Sequence, residues 1–361
     1  MNVKKITAIV CATALLASLS ACGNKTSAKS EAAKKQIATA GIDFTTSETK
    51  ENATVVKYST VFASTGIQAD GAKTLGKLIA ESSDGNMKME FYPSSQLGDK
   101  IATFEGLQAG TIEMTECAAT DLSAFDSMWS VFSLPYLWDS DTQAVKTVLD
   151  PEVRKILEKN MEQNGFKIIA WTDMGSRSFM NDKRTIKTAA DLKGLKIRCM
   201  EDKVLADSVT AMGAIATPMA FSEVYTGIQQ GTIDGLDHTA SSLASSRFQE
   251  ICKYYSLTEH FTIPDPVFVS TRWFNRLSKD KQEAIVKAGE KFTEEWNSDI
   301  WPKSEAKGLD ELKSAGVEIT EVDKTTFKDA VKPVVQNFLA NATDQQKSLY
   351  DLLEKTKVKY K

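Results

Sequence analysis

The chain is poor in the residues that hold metals and run hydrolysis. It has two histidines among 361 residues, His238 and His260, and neither C-x-x-C nor H-E-x-x-H occurs. A zinc site is therefore not expected. There is no G-x-S-x-G turn and no paired-carboxylate motif. Asp237, His238 and Ser241 make a triad only on paper, because adjacent residues seldom face one another. No catalytic residue, metal or cofactor is expected. A basic stripe is missing too: 44 Lys and Arg stand against 48 Asp and Glu, which leaves no footprint for nucleic acid. Disulfide spacing is absent. Of five cysteines, Cys117, Cys199 and Cys252 lie beyond the N-terminal segment, widely spaced in apolar settings, and read as buried free thiols.

What stands at the N-terminus is a basic "MNVKK", an apolar "ITAIVCATALLASL" and then "LSAC" at 19–22. The apolar run is too short to span a bilayer and reads as an export signal. Ending on Cys22, it resembles a bacterial lipoprotein signal, the alternative being an ordinary secretory one. The resemblance implies cleavage before Cys22 and lipid on its sulfur and amine. Acyl chains contribute ~0.8 kcal/mol per buried CH₂, so several would hold the protein at a membrane surface. Loss of residues 1–21 removes Lys4 and Lys5 and no acid, taking the formal charge from −4 to −6. Residues 22–51 are rich in Lys, Ser, Thr, Ala and Glu and read as a flexible tether spanning roughly 30 Å.

The rest exceeds what one hydrophobic core usually serves, so two domains are expected. "TVVKYSTVF" (54–62), "NMKMEFYP" (86–93) and "TIEMTECA" (111–118) read as strands. Helices lie between them, over about 68–81 and up to Gly110. That order argues for an α/β domain with a mainly parallel sheet. A second set follows. "FKIIAWTD" (166–173) and "LKIRCM" (195–200) are strand-like, and "SEVYTGIQQGTIDGLD" (222–237) repeats the helix–Gly–strand step. "LQAGTIEM" (107–114) and "IQQGTIDG" (228–235) match closely, as two similarly built halves would. From Ser278, apolar residues at helical spacing run to Pro302, where the helix must end or kink. At ~35 Å this helix is long enough to lie across two domains.

Ligands of open parallel sheets bind outside the carboxyl ends of strands. Arg198 stands at such an end, as do Arg177 in "DMGSRSF" and "LDH" at 236–238. A guanidinium offers a planar fork of donors to a carboxylate's two acceptors. The bland alternative pairs Arg198 with a local acid such as Asp191, or sends it to solvent. Trp129, Trp138 and Trp171 read as core.

From residue 54 to about 345 the chain resembles a substrate-binding protein of the tripartite ATP-independent periplasmic (TRAP) transporters, of the C4-dicarboxylate-binding kind. The residues that carry this are "FYPSSQLGDK", "LQAGTIEMT", "SLPYLW", "GSRSFMNDKRTIKTAADLKGLKIR", "TPMAFSEVYTGIQQGTIDGLDH" and "LSKDKQEAI". The resemblance implies a two-domain α/β binding-protein fold with a hinge and a long helix spanning both domains. On it we place domain I at 52–174 with 264–303 and domain II at 175–263 with 304–361. It implies that Arg198 receives a ligand carboxylate in a two-pronged contact and that Arg177 approaches the same carboxylate. His238 stands where many relatives have Asn, Phe221 looks like an apolar wall, and Glu201 occupies a place where some relatives carry Asn. Against these stand plainer readings: Phe221 as core, His238 as a satisfied histidine, Glu201 as a solvated acid. The implied function is extracytoplasmic, in the periplasm or on the outer face of the cytoplasmic membrane. There the protein would capture a small organic acid by cleft closure and deliver it to TRAP permease subunits. The alternative is a lipid-anchored sensor for a carboxylate signal.

Overall fold

A computed structural model describes residues 41–43 and 49–361, with a compact body over Asp43–Lys361. The signal segment 1–21, Cys22 and most of the tether lie outside the described residues. The strands of the body are β1 (Thr54–Ser59), β2 (Met87–Tyr92), β3 (Met114–Glu116), β4 (Phe166–Thr172), β5 (Ser176–Asn181), β6 (Lys196–Cys199), β7 (Ile215–Pro218), β8 (Gly235–His238), β9 (Tyr254–Thr262), β10 (Asp265–Ser270) and β11 (Glu318–Glu321).

They form two sheets built to one plan. In the first, β2, β1, β3, β10 and β4 lie side by side; in the second, β7, β6, β8, β5 and β9, with β11 beyond β9. The first three strands of each set run parallel, and the next two alternate antiparallel. The expectation of mainly parallel sheets holds for those three strands only. β4 runs on into β5, and β9 into β10, each leaving one sheet and entering the other, so a strand that crosses meets its new neighbours head to tail. The matching octapeptides have a matching structure. Gly110 and Gly231 follow their helices with φ of 75° and 71°, a left-handed turn that favours glycine. In each, a threonine hydroxyl caps the carbonyl five residues back, Thr111 on Gly106 and Thr232 on Gly227. Glu113 accepts the Lys57 N–H, as Asp234 accepts the Lys196 N–H (3.0 and 2.8 Å).

Each sheet buries an apolar face. Phe104, Phe166 and Phe268 pack together over the first; Val224, Ile228, Leu236 and Phe248 share a cluster on the second. The helix Lys279–Glu295 lies on β4 and on the helix Ile67–Ser82. It does not end at Pro302. A π-helical turn, Trp296–Ile300, absorbs the proline, and the chain continues as Trp301–Ser314 against the short helix Ala240–Ser245. Proline lacks the N–H that an unbroken helix needs. At this turn Trp296 and Trp301 stack at 6.5 Å. Trp296 Nε1 donates to the Asp173 carbonyl (2.7 Å), and Trp301 lies where a side chain on Gly175 would fall.

The expected assignment of 304–361 to the second lobe does not describe the last helix, Asp344–Lys357. It packs on residues 127–163, with Gln346 Nε2 donating to the Ser127 carbonyl and Ser130 Oγ (both 2.8 Å) and Lys357 to the Leu137 carbonyl (2.7 Å). Its buried Leu349, Leu352 and Leu353 find their apolar surface on that side. Among the described residues, no helix is long and apolar enough to cross a membrane, and no group of metal-ligating side chains gathers.

Candidate functional site

The ends of β3, β6 and β8, with the crossings at 173–175 and 263–264, surround an enclosed cavity of ≈ 50 Å³ between the two sheets. A wider vestibule of ≈ 440 Å³ shares Val61, Lys100, Arg198, Met200 and Phe221 with it. The vestibule is larger, but the polar strand ends converge on the enclosed cavity, and we take that as the site.

Arg198, next to last in β6, stands beside Thr217 and Leu236 and is 4 % exposed. Its Nε donates to the Met219 carbonyl (2.8 Å), and the guanidinium lies 5.8 Å from the Phe221 ring centre. Among the described residues, no carboxylate lies within ion-pair distance of it. Asp191 instead accepts the Lys187 and Thr188 N–H groups (3.0 and 2.8 Å). Burial, then the Arg177 charge, lowers the guanidinium to about 10, so it remains a cation at neutral pH.

Arg177 on β5 reaches the same cavity, but two of its nitrogens are engaged. Nε and Nη2 donate to the Asp237 carboxylate and carbonyl, each at 2.6 Å. Burial pushes the Asp237 carboxyl up; Arg177, His260 and Arg198 outweigh it and hold the group far below the ordinary carboxylate range. Only Nη1 of Arg177 has no partner within the described chain. His238 closes β8 and accepts the Thr239 N–H on Nδ1 (2.9 Å). Burial and then Arg177 lower its pKa well below the ordinary value. The ring is therefore neutral, and the bond to Nδ1 places its proton on Nε2. Phe221 opens the helix Phe221–Gln229 and is both wall and packing. It touches Arg198 and His238 on one side and Phe62 and Phe248 on others. Glu201 is exposed and lines the vestibule, not the enclosed cavity. There it shares a wall with Arg198 and Phe221, but the structure does not bring it to Arg177 and His238.

Two acids went unremarked in the sequence. Glu116 ends β3 and Asp265 opens β10, and both line the cavity from the first sheet. The available signal was an acid inside an apolar run, "EMTECA" and "TIPDPVFVS". Lys100 also lines it, paired with Asp121. Trp129, Trp138 and Trp171 are buried, with Trp129 stacked on Trp171. Cys117, Cys199 and Cys252 are buried free thiols. The cavity wall thus combines a buried cation, further hydrogen-bond donors, an aromatic face and two carboxyls.

A model of the bacterial extracellular solute-binding protein family 7 matches residues 58–342. The 2,3-diketo-L-gulonate-binding periplasmic protein of Escherichia coli is 32% identical over 282 residues, covering 78% of this chain and 85% of the relative. The C4-dicarboxylate-binding periplasmic protein of Rhodobacter capsulatus is 29% identical over 288 residues, with coverage of 78% and 85%. Among solved structures, a TRAP periplasmic solute-binding protein from Anaerococcus prevotii with bound D-glucuronate superposes with a TM-score of 0.79. It is 28% identical and the match covers 85% of this chain and 99% of that one.

Proposed function

This chain belongs to the bacterial extracellular solute-binding protein family 7, and from that premise we propose that it captures a small organic acid by closing two lobes over it and delivers it to a TRAP-type permease. Family members of this kind are binding proteins of transporters and not enzymes. The lobes are 52–174 with 264–303, and 175–263 with 304 to about 342. Lipid on Cys22 and the tether 22–51 keep the body near the membrane that holds the permease.

The observation that carries the reading is the unpaired cation. Arg198 is buried, fixed by Met219 and Phe221, and among the described residues no carboxylate lies within ion-pair distance of it. Burying a charge without a partner is costly, and a ligand carboxylate relieves that cost. Arg177 Nη1 and the His238 Nε2–H stand in the same wall as further donors. Each of the three similar proteins named above is described with a carboxylic acid. Closure follows from differential affinity: an acid held by Arg198, Arg177 and His238 of the second lobe meets the first lobe's wall, with Glu116 and Asp265, only when the two are shut.

A thermal-shift screen of organic acids tests the reading. A ligand at 100 times its Kd stabilises by ~2.7 kcal/mol. Hits are expected to carry a carboxylate, and Arg198→Ala is expected to abolish them. Hits confined to neutral sugars or metal ions would refute the assignment.

A further inference from the structure

Asp265 lies between Pro264 and Pro266 and is 6 % exposed. Its backbone carbonyl accepts the Thr172 hydroxyl (2.9 Å), but its carboxyl has no hydrogen-bond partner within the described chain. That group lines the cavity which Arg198, Arg177 and His238 enter from the other sheet. Glu116 faces Val267 in the β3–β10 ladder. Val267 is two residues from Asp265, so both acids stand on one face of the sheet. Glu116 receives the Thr60 hydroxyl on one oxygen; the other has no hydrogen-bond partner within the described chain. Buried polar groups are ordinarily satisfied, and here two neighbouring carboxyls keep open valence toward the cavity.

The remaining charges of the wall are accounted for. Arg177 is held by Asp237 and Lys100 by Asp121, and His238 is neutral. Arg198 is thus the one cation among the described wall residues with no acid in ion-pair distance, and a guest carboxylate would pair with it. We infer that Asp265 and Glu116 are the specificity-determining residues of this pocket, receiving hydroxyl groups at the end of the ligand remote from its carboxylate. The guest is then a hydroxylated monocarboxylate and not a dicarboxylate. This rests on the carboxylate-capture reading above and names the class of acid.

The chemistry of the two ends fits. A second carboxylate there accepts only, and is repelled by either acid when that acid is ionised. A hydroxyl both donates and accepts, and so matches a carboxyl in either protonation state. Burial raises both groups, Asp265 to about 8, with Asp121 and Asp173 adding to the rise and Lys100 and Arg177 opposing it. A neutral acid donates one hydrogen bond and accepts others, which orients a hydroxyl-bearing guest without adding charge.

Isothermal titration of the purified protein and of Asp265→Ala tests this. The probes are three hydroxylated acids (D-glucuronate, D-galacturonate, D-gluconate), tetrahydropyran-2-carboxylate, which has an acid-bearing ring and no hydroxyls, and succinate. The wild type is expected to bind its best hydroxylated acid at least tenfold more tightly than either other probe. Asp265→Ala is expected to lose about tenfold for that acid and less than threefold for the hydroxyl-free ring. Should the alanine variant lack a cooperative melt, Asp265→Asn and Glu116→Gln carry the comparison, with succinate expected to gain on the hydroxylated acid. Succinate binding as tightly as the best hydroxylated acid, or equal losses for both ring acids, overturns this inference and leaves carboxylate capture standing. Binding of none of the five overturns both.

Discussion

His260 is fully buried, stacked 4.0 Å from the Phe179 ring, with Nδ1 on the Thr258 hydroxyl (2.8 Å) and Nε2 3.7 Å from the Asp237 carboxylate. Burial lowers it to about 4 despite Asp237, with Arg177 adding to the fall. An unfolded chain takes up this proton near pH 6.5; the folded one does not until about pH 4. Stability is therefore lost as pH falls through that window, on the order of 3 kcal/mol for this one group. His260→Phe keeps the stack and removes the titration. Urea unfolding at pH 6.5 and pH 4 should give a smaller acid loss in the variant; equal losses would contradict the assignment. Asp265 titrates with the opposite sign, since its raised pKa makes stability fall as pH rises from about 4 to about 8, but it does so in both proteins. At this scale the strand-end pattern put Arg198 forward but left a local ion pair or solvent open, and the family resemblance made the choice. Asp265 and Glu116 left only the faint mark of an acid inside an apolar run. An acid in an alternating strand looks like its solvent face, and only the fold shows that this face is enclosed.

The long helix rests on each sheet system through a glycine. A methyl on Gly289 would lie 2.2 Å from the Ile169 carbonyl oxygen, and one on Gly308 2.4 Å from the Ser241 Cα. Both obstacles are backbone and cannot swing away. Gly289→Ala and Gly308→Ala are each expected to cost about 1–3 kcal/mol despite alanine's better helix propensity, read as a lower urea midpoint. A rise in the midpoint would show that the helix stands clear. The helix was legible from its period and the disturbance from Pro302. The π turn was not, because whether a proline ends a helix or is looped out depends on what the continuing segment packs against. Here that is the helix Ala240–Ser245. The twin helix–Gly–Thr–Ile segments announced twin halves because turn chemistry is local. The docking of Asp344–Lys357 on residues 127–163 is a long-range match of apolar faces and leaves no local mark.

The body is joined at one side and clasped at the other. The backbone passes between the sheet systems at 173–175, at 263–264 and along the helical run through Trp296–Ile300. Across the vestibule, Ser123 Oγ donates to Asp202 (3.3 Å), and the Phe62 and Phe221 rings meet at 5.8 Å. The clasp is thin. Ser123→Ala removes one hydrogen bond, worth about 0.5–1.5 kcal/mol, and leaves Asp202 free to cap its helix through Val204 and Leu205. Ligand should bind roughly three- to tenfold more weakly, mainly through faster release, as stopped-flow dissociation would record. An unchanged release rate would mean the rim contact is incidental. The indole pair Trp296 and Trp301 sits on the joined side, against Asp173 and Gly175, where any rocking of one lobe on the other must shift its surroundings. The molecule thus carries its own optical gauge. Its ultraviolet emission should change when a guest enters, and Trp301→Phe should silence most of that signal while the guest still binds.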